Sequence, residues 1–300
     1  MPRFFRMYGE SIFDLGDVER LGFPITDGYQ IPDEYIESGN FLIMRLCNGF
    51  GDWGIISALP RKLKEKYPNC KVYVPSVTLI KKIFGDSHQW KHWPNPELNC
   101  ERVFVNNPYV DGFVDTIDEV DVFHDHYRVY DPNNENVSLV KQMMLFWGFS
   151  DSECVDYLPE LYFDKDEIEH GDSLIKEYFG DSEFGGFIAT SSQLSNGKFF
   201  DDYRNELIID ELKKHNLKYV YYGGVDIKDT PFADYVEVGL DFAKVTTPLR
   251  VQLYIRSKAK INIGYQSSIH ELICRYSPIV CTEMDGGPRE NYFDNITYLK

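Results

Sequence analysis

Four stretches hold residue types that could do chemistry. The first is RLCNGFGDWGIISALPRKLKEKYP, residues 45–68, which puts a carboxylate, Asp52, in a Gly-Asp turn. Arg45, Asn48, Gly49 and Gly51 shape the loop before it. Gly49 and Gly51 allow the backbone to turn with positive φ and leave amides free at the start of the next helix. That loop is neither a GxGxxG fingerprint nor a Walker A loop, since no Gly-Lys-Ser/Thr follows. A carboxylate there repels phosphate. It can cap the helix or take a proton as a general base, and the spacing alone permits both.

The second stretch is ATSSQLSNGKFF, residues 189–200. Its hydroxyls, amides and Lys198 can embrace an anion, or form a polar loop with a solvated lysine. The third is KINIGYQSSIHELICRYSPIVC, residues 260–281. A strand ends at Gly264, and Ser267, Ser268 and His270 open the next helix. Free amides, two hydroxyls and the positive helix end suit an anion. His270 either donates to a phosphate or is a packed, satisfied histidine. The fourth is FHDHY, where His124 and His126 stand two apart beside Asp121 and Asp125. A metal site and a solvated strand end both fit it.

The elements that must position these residues alternate. Residues 1–37 are aromatic, acidic and turn-rich, and read as an irregular N-terminal extension. Residues 41–46 read as a buried strand, 53–66 as a helix, 71–74 as a strand and 78–84 as a short helix. This is a βαβ unit with a parallel sheet. Strand-like pieces follow at 102–105, 112–116 and 120–123, then a helical spacing over 138–147. A second series begins with a helix over 166–179 and a strand over 186–190. A helix over 203–215, a strand over 218–222 and a helix over 250–257 continue it. It closes with a strand over 260–263, a helix over 267–276 and a strand over 278–282. The reading is α/β in both halves: an extension over 1–37, one Rossmann-like domain over 38–165 and a second over 166–300. In such sheets ligands sit beyond the carboxyl ends of the strands.

Composition narrows the classes. Hydrophobic residues make up 43% and charged residues 26%, so a packed core is expected. The net charge of −17 opposes non-specific nucleic-acid binding. The basic run at residues 61–66 reads as one solvated helix face. No apolar run is long enough to span a bilayer, and the first residues lack a signal-peptide core. A cytoplasmic setting is therefore expected. The 6 cysteines are scattered with no CxxC pair, which signals neither zinc nor a disulfide framework. Alanine occurs five times against 21 tyrosines and 21 phenylalanines, a bias that fits an AT-rich genome such as that of a phage or a low-GC bacterium.

Taken in order, the stretches resemble a known family. IMRLCNGFGDWGIISALPRKLKEKYPNCKVYV resembles the opening of heptosyltransferase-like glycosyltransferases of family 9: a strand, an Arg, a Gly-Asp turn, then a helix with a Leu-Pro step. NPYVDGFVD, residues 107–115, looks like that family's hPyvDev segment. YIRSKAKINIGYQSSIHELICRYSPIVC resembles its ariadlfIGnDSGpmHlAaalgtPvv segment. The resemblance implies the GT-B fold, two Rossmann-like domains facing each other across a cleft. It also implies metal-independent, usually inverting, transfer of a sugar from a nucleotide-diphosphate donor, with no other cofactor. By the same resemblance Asp52 matches the catalytic base, Lys198 the donor-phosphate lysine, and Ser267 and His270 the Ser and His of the diphosphate-binding helix start. Gln266 stands where the family has Asp, and Ser268 where it has Gly. The chain also ends earlier than the family, which predicts that the helices crossing back to the first domain are absent. Residues 1–37 have no counterpart and would take that bracing role.

The expected function is an active transferase acting on a glycan or glycolipid hydroxyl. Two alternatives remain open at this point. One is a phage-type transferase acting on modified DNA bases. The other is a GT-B-fold binding protein that has lost catalysis.

Overall fold

The computed structural model describes residues 3–6, 25–27, 39–44, 49–84, 95–116, 122–125, 138–146, 149–189, 202–282, 293 and 295–299. The chain divides into two compact units, Met1–Tyr162 and Phe163–Lys300.

The first unit has β1 (Arg3–Arg6), β2 (Ile25–Asp27), β3 (Asn40–Met44), α1 (Phe50–Gly54), α2 (Leu59–Lys66), β4 (Lys71–Pro75) and α3 (Val77–Phe84). It continues with α4 (Asn99–Phe104), β5 (Gly112–Val114), β6 (Val122–Asp125) and α5 (Leu139–Phe146). Its sheet runs β2-β1-β6-β3-β4-β5, every pair parallel. Residues 1–37 are therefore not simply an irregular extension. They hold two strands, and β1 lies between β2 and β6. Runs of four and three residues are too short for a periodic signal, and their partners are remote in sequence.

Two further expectations change here. The single helix expected over 53–66 is two helices joined by turns. Pro60 lies in the first turn of α2, where its missing N–H costs nothing. It cannot extend the ladder from α1, whose exit runs through short bonds such as Ser57 N–H to Gly54 O at 3.0 Å. Residues 102–105, read as a strand, belong largely to α4. Its buried residues Asn99, Cys100, Val103 and Phe104 repeat at helical spacing. Phe104 meets Trp53 edge-on at 6.2 Å.

The segment NPYVDGFVD has a structural task. Asn107 Oδ1 accepts the Tyr109 N–H at 2.9 Å and fixes the turn. Asp111 accepts the Val72 N–H at 2.8 Å and pairs with Lys64 at 2.6 Å and Lys71 at 3.3 Å. Burial works against its charge, but these three donors hold the Asp111 carboxyl below its usual range. Arg61 closes the unit, its Nε donating to Glu160 Oε1 at 2.6 Å. The Glu160 N–H donates to Ser57 Oγ at 2.8 Å.

The second unit has α6 (Lys165–Phe179), β7 (Phe184–Ile188), α7 (Asp202–Leu212), β8 (Lys218–Tyr222), β9 (Glu237–Asp241) and α8 (Leu249–Ser257). It ends with β10 (Asn262–Tyr265), α9 (Ser268–Ile273), β11 (Ile279–Thr282) and β12 (Ile296–Leu299). Its sheet runs β12-β11-β10-β7-β8-β9, again all parallel. A capping box opens α6: Asp164 accepts from Glu167 N–H at 2.8 Å, and Glu167 from Asp164 N–H at 3.0 Å. Glu167 also takes the Arg250 guanidinium, at 2.5 and 2.9 Å, tying α6 to α8.

Both faces of this sheet are covered. Tyr219 and Tyr221 pack with Ile208, Phe232 and Ile263 on one side. Val220 packs with Leu174, Leu240, Val251 and Ile255 on the other. Strands buried on both faces read as nearly continuous apolar runs. β9 and β12 escape the sequence reading because they lie at the two edges of the sheet and mix polar residues into short runs.

The strand order reverses between β7 and β10, the place where open α/β sheets bind ligands. There the backbones crowd. Gly264 has φ +138°, and a Cβ on it would lie 2.1 Å from the Ile188 carbonyl oxygen. Gly264→Ala is expected to cost about 2–5 kcal/mol, from backbone strain plus overpacking. Urea unfolding measures this, and a loss of a few tenths would mean that β7 and β10 separate without cost.

Candidate functional site

The second unit brings together Gln266, Ser267, Ser268 and His270 directly after β10. Ser267 is the N-cap of α9, in extended conformation at φ −152°. Its Oγ accepts the His270 N–H at a long 3.5 Å. Ser267 and Ser268 are half-buried, while Gln266 and His270 are buried.

The polar atoms here are poorly satisfied. Gln266 Nε2 donates to Glu271 Oε1 at 3.3 Å, and the Gln266 N–H donates to the Thr282 carbonyl at 3.3 Å. Yet among the described residues Gln266 Oε1, the Thr282 hydroxyl and both ring nitrogens of His270 are buried without a hydrogen-bond partner. A buried orphan costs about 1–3 kcal/mol, so native structures keep few of them. Four in one 17-residue span (266–282) demand a reason.

His270 is thus packed but not satisfied. Burial, assisted by the positive charge of Arg256, lowers its pKa to about 3; the Tyr265 backbone opposes this only weakly. At neutral pH the ring is uncharged. It offers one N–H and one lone pair, and no positive charge.

Arg256 was not singled out from the sequence. It is fully buried on α8, with Nη2 donating to the Phe187 carbonyl at 2.8 Å and Nη1 to Asn262 Oδ1 at 3.3 Å. Burial draws its pKa down to about 9. Its burial carries no signal in the sequence, since an arginine in an amphipathic helix usually reaches solvent.

In the first unit Asp52 is the third residue of α1. Its Oδ2 accepts the Gly49 N–H at 3.0 Å, so the carboxylate does tie the start of the helix. The positive φ expected for the glycines does not occur. Gly49 is extended at φ −64°, and Gly51 lies inside α1. The chain enters the helix through an ordinary N-cap, which needs no left-handed residue.

Arg45, Asn48 and Lys198 lie outside the described residues, as do Cys47 and His126. His124 belongs to β6. Among the described residues no group of three or more His, Cys, Asp or Glu side chains is placed to hold a metal ion. The described cysteines are all buried.

No family model matches the sequence, and no curated protein does. Solved structures do match. The glycosyl transferase family 9 structure from Veillonella parvula DSM 2008 superposes with TM-score 0.53 at 11% identity, covering 88% of this chain and 86% of that one. The E. coli ADP-heptose lps heptosyltransferase II matches with TM-score 0.45 at 13% identity, over 87% and 92% of the two chains. The NodZ alpha-1,6-fucosyltransferase soaked with GDP-fucose matches with TM-score 0.42 at 12% identity, over 86% and 99%. The chain therefore shares the α/β, GT-B-type fold of the glycosyl transferase family 9 structure.

The neutral, buried state of His270 has a consequence for stability. The unfolded chain binds this proton below about pH 6.5, but the folded chain only near 3. Stability is therefore lost as pH falls through that window, by up to about 1.4 kcal/mol per unit. The carboxylates held low, at Glu65, Asp111, Glu153 and Glu211, act further down. His270→Gln is expected to flatten the dependence between about pH 4.5 and 6.5. Urea titrations across that range check it, and an unchanged slope would show that the folded ring protonates freely.

Proposed function

We propose that this chain is a glycosyltransferase moving a sugar from a nucleoside-diphosphate sugar to a glycan or glycolipid hydroxyl. One observation carries the reading. Among the described residues, Gln266 Oε1 and the two His270 ring nitrogens are buried without a hydrogen-bond partner just after β10, where the strand order reverses, and Thr282 Oγ1 is likewise at the end of the neighbouring β11. Ligands of open α/β sheets bind at that point, and a polar ligand would satisfy these atoms. The shared fold supports the same reading.

The roles follow from chemistry. The amides and hydroxyls of Ser267 and Ser268 bind the donor diphosphate. His270 donates its neutral N–H to it, and Lys198 supplies the positive charge that His270 lacks. Asp52 accepts the proton of the acceptor hydroxyl. The acceptor oxygen bonds to the anomeric carbon as the bond from that carbon to the diphosphate oxygen breaks, which inverts the centre. The leaving diphosphate keeps the electron pair, stabilised by the donors around it. The step uses no metal ion and no cofactor beyond the donor, and the same reading places it in the cytoplasm. Among the described residues no helix is long and apolar enough to cross a membrane.

A second reading rests on the Asp52 cap. A carboxylate engaged by the Gly49 N–H could be wholly structural, in a binding protein without turnover. One variant separates the two. Asp52→Asn keeps an oxygen that can accept the Gly49 N–H, but it cannot take a proton. Thermal shifts with UDP, GDP, ADP, CMP and dTDP compounds and their sugars identify the donor, and product formation gives turnover. The variant is expected to bind that donor normally and to turn over about 10²–10⁴-fold more slowly. Unchanged turnover would remove Asp52 from the step, and a wild-type chain that binds none of these nucleotides would overturn the transferase reading.

A further inference from the structure

Arg256 holds a positive charge that no described residue neutralises. It is fully buried, and its partners are the Phe187 carbonyl, the Asn262 amide oxygen and the Phe242 ring, whose centroid is 5.9 Å away. All three are neutral, and no carboxylate among the described residues lies within ion-pair distance. A guanidinium stays protonated at neutral pH. As a stabilising device this is poor, because an apolar side chain of similar volume often serves as well or better.

The surroundings are nevertheless built around it. A Cβ on Gly186 would fall 1.8 Å from Asn262 Oδ1 and 3.0 Å from Arg256 Nη1. Asn262 Nδ2 donates to the Arg256 carbonyl at 3.1 Å and to Ser277 Oγ at 2.8 Å. Ser277 Oγ donates onward to the Ala259 carbonyl at 2.7 Å. This network pins the end of α8 to the starts of β10 and β11. The Phe187 carbonyl lies one residue before the end of β7. The charge also acts on the His270 ring. Its guanidinium thus joins β7 to β10; the orphaned Gln266 and His270 atoms follow the carboxyl end of β10, and Thr282 ends the neighbouring β11.

We propose that Arg256 is a positioning residue for a phosphate-type anion bound at the carboxyl ends of β7 and β10. Its guanidinium fixes the Phe187 carbonyl and Asn262, and its unspent charge favours the anion from within the core. This deepens the transferase reading, and takes from it the expectation that the anion is the donor's diphosphate.

The test uses the full chain and inorganic pyrophosphate, with affinity read by calorimetry and location by the NMR signals of the His270 ring. The wild type is expected to bind with a shift at His270. Arg256→Met is expected to keep or raise its melting temperature and to bind at least about tenfold more weakly. Arg256→Gln removes the charge but keeps a donor for the Phe187 carbonyl. It should show the same loss, and it serves if the Met variant does not fold. Arg256→Lys should restore binding to within about threefold. Unchanged binding in folded Met or Gln variants overturns the proposal, as does equal loss in Lys, or a wild type that gives no His270 shift. Charge-dependent pyrophosphate binding without any sugar transfer would sustain this inference and defeat the transferase reading.

Discussion

The close approach of β7 and β10 is the constraint on which the second unit depends. Two parallel backbones meet where only a glycine fits, at Gly264 against the Ile188 carbonyl. Adding strands to both sides of that pair reverses the strand order there. The reversal leaves chain segments departing in opposite directions from neighbouring strand ends. The residues after β10, Gln266 to His270, are thereby delivered to the one edge where an open parallel sheet offers a concave surface. No side chain of that group could be so placed if the two strands stood further apart.

Close packing of this kind has an electrostatic side. The sheet is covered on both faces, so the polar groups at its reversal point lie in a medium where each unmet hydrogen bond costs about 1–3 kcal/mol. The structure carries four such atoms within residues 266–282 and a buried guanidinium nearby. A protein selected only for stability would replace them with apolar side chains. Arg256 and His270 also constrain each other. A buried positive charge disfavours a second one, so the imidazole is kept neutral.

Much of this architecture was legible in the sequence, for physical reasons that can be named. Strands buried on both faces leave apolar runs such as 218–222, and long amphipathic helices such as 165–179 show their period and caps. Short runs carry no such signal, whether inside a sheet like β1 or at an edge like β2, β9 and β12, which is why these were not assigned as strands. The 102–105 run failed differently. Four apolar-rich residues fit either period, and only their packing against Trp53 decides for the helix. At the candidate site, the helix start at Ser267 could be read because polar residues after a strand and a glycine commonly cap the next helix. Arg256 could not, since a single arginine in a helix normally reaches solvent, and its burial depends on Gly186 and Asn262 from other elements. The glycines at 49 and 51 misled because glycine permits positive φ without requiring it.

Asp52 shows how a structural and a chemical role can share one side chain. The sequence left cap and base as alternatives, and the Gly49 contact establishes the cap. The two roles do not compete for the same lone pair. A carboxylate has two oxygens with about four acceptor directions, and one backbone N–H uses one of them. A base must also present its oxygen in a fixed direction to act within hydrogen-bond reach. A freely rotating aspartate does this poorly, whereas one tethered to the first turn of its own helix is oriented before any substrate arrives. The tie to Gly49 is therefore what a base at this position would require, and the capping geometry counts toward the catalytic reading as much as toward the structural one.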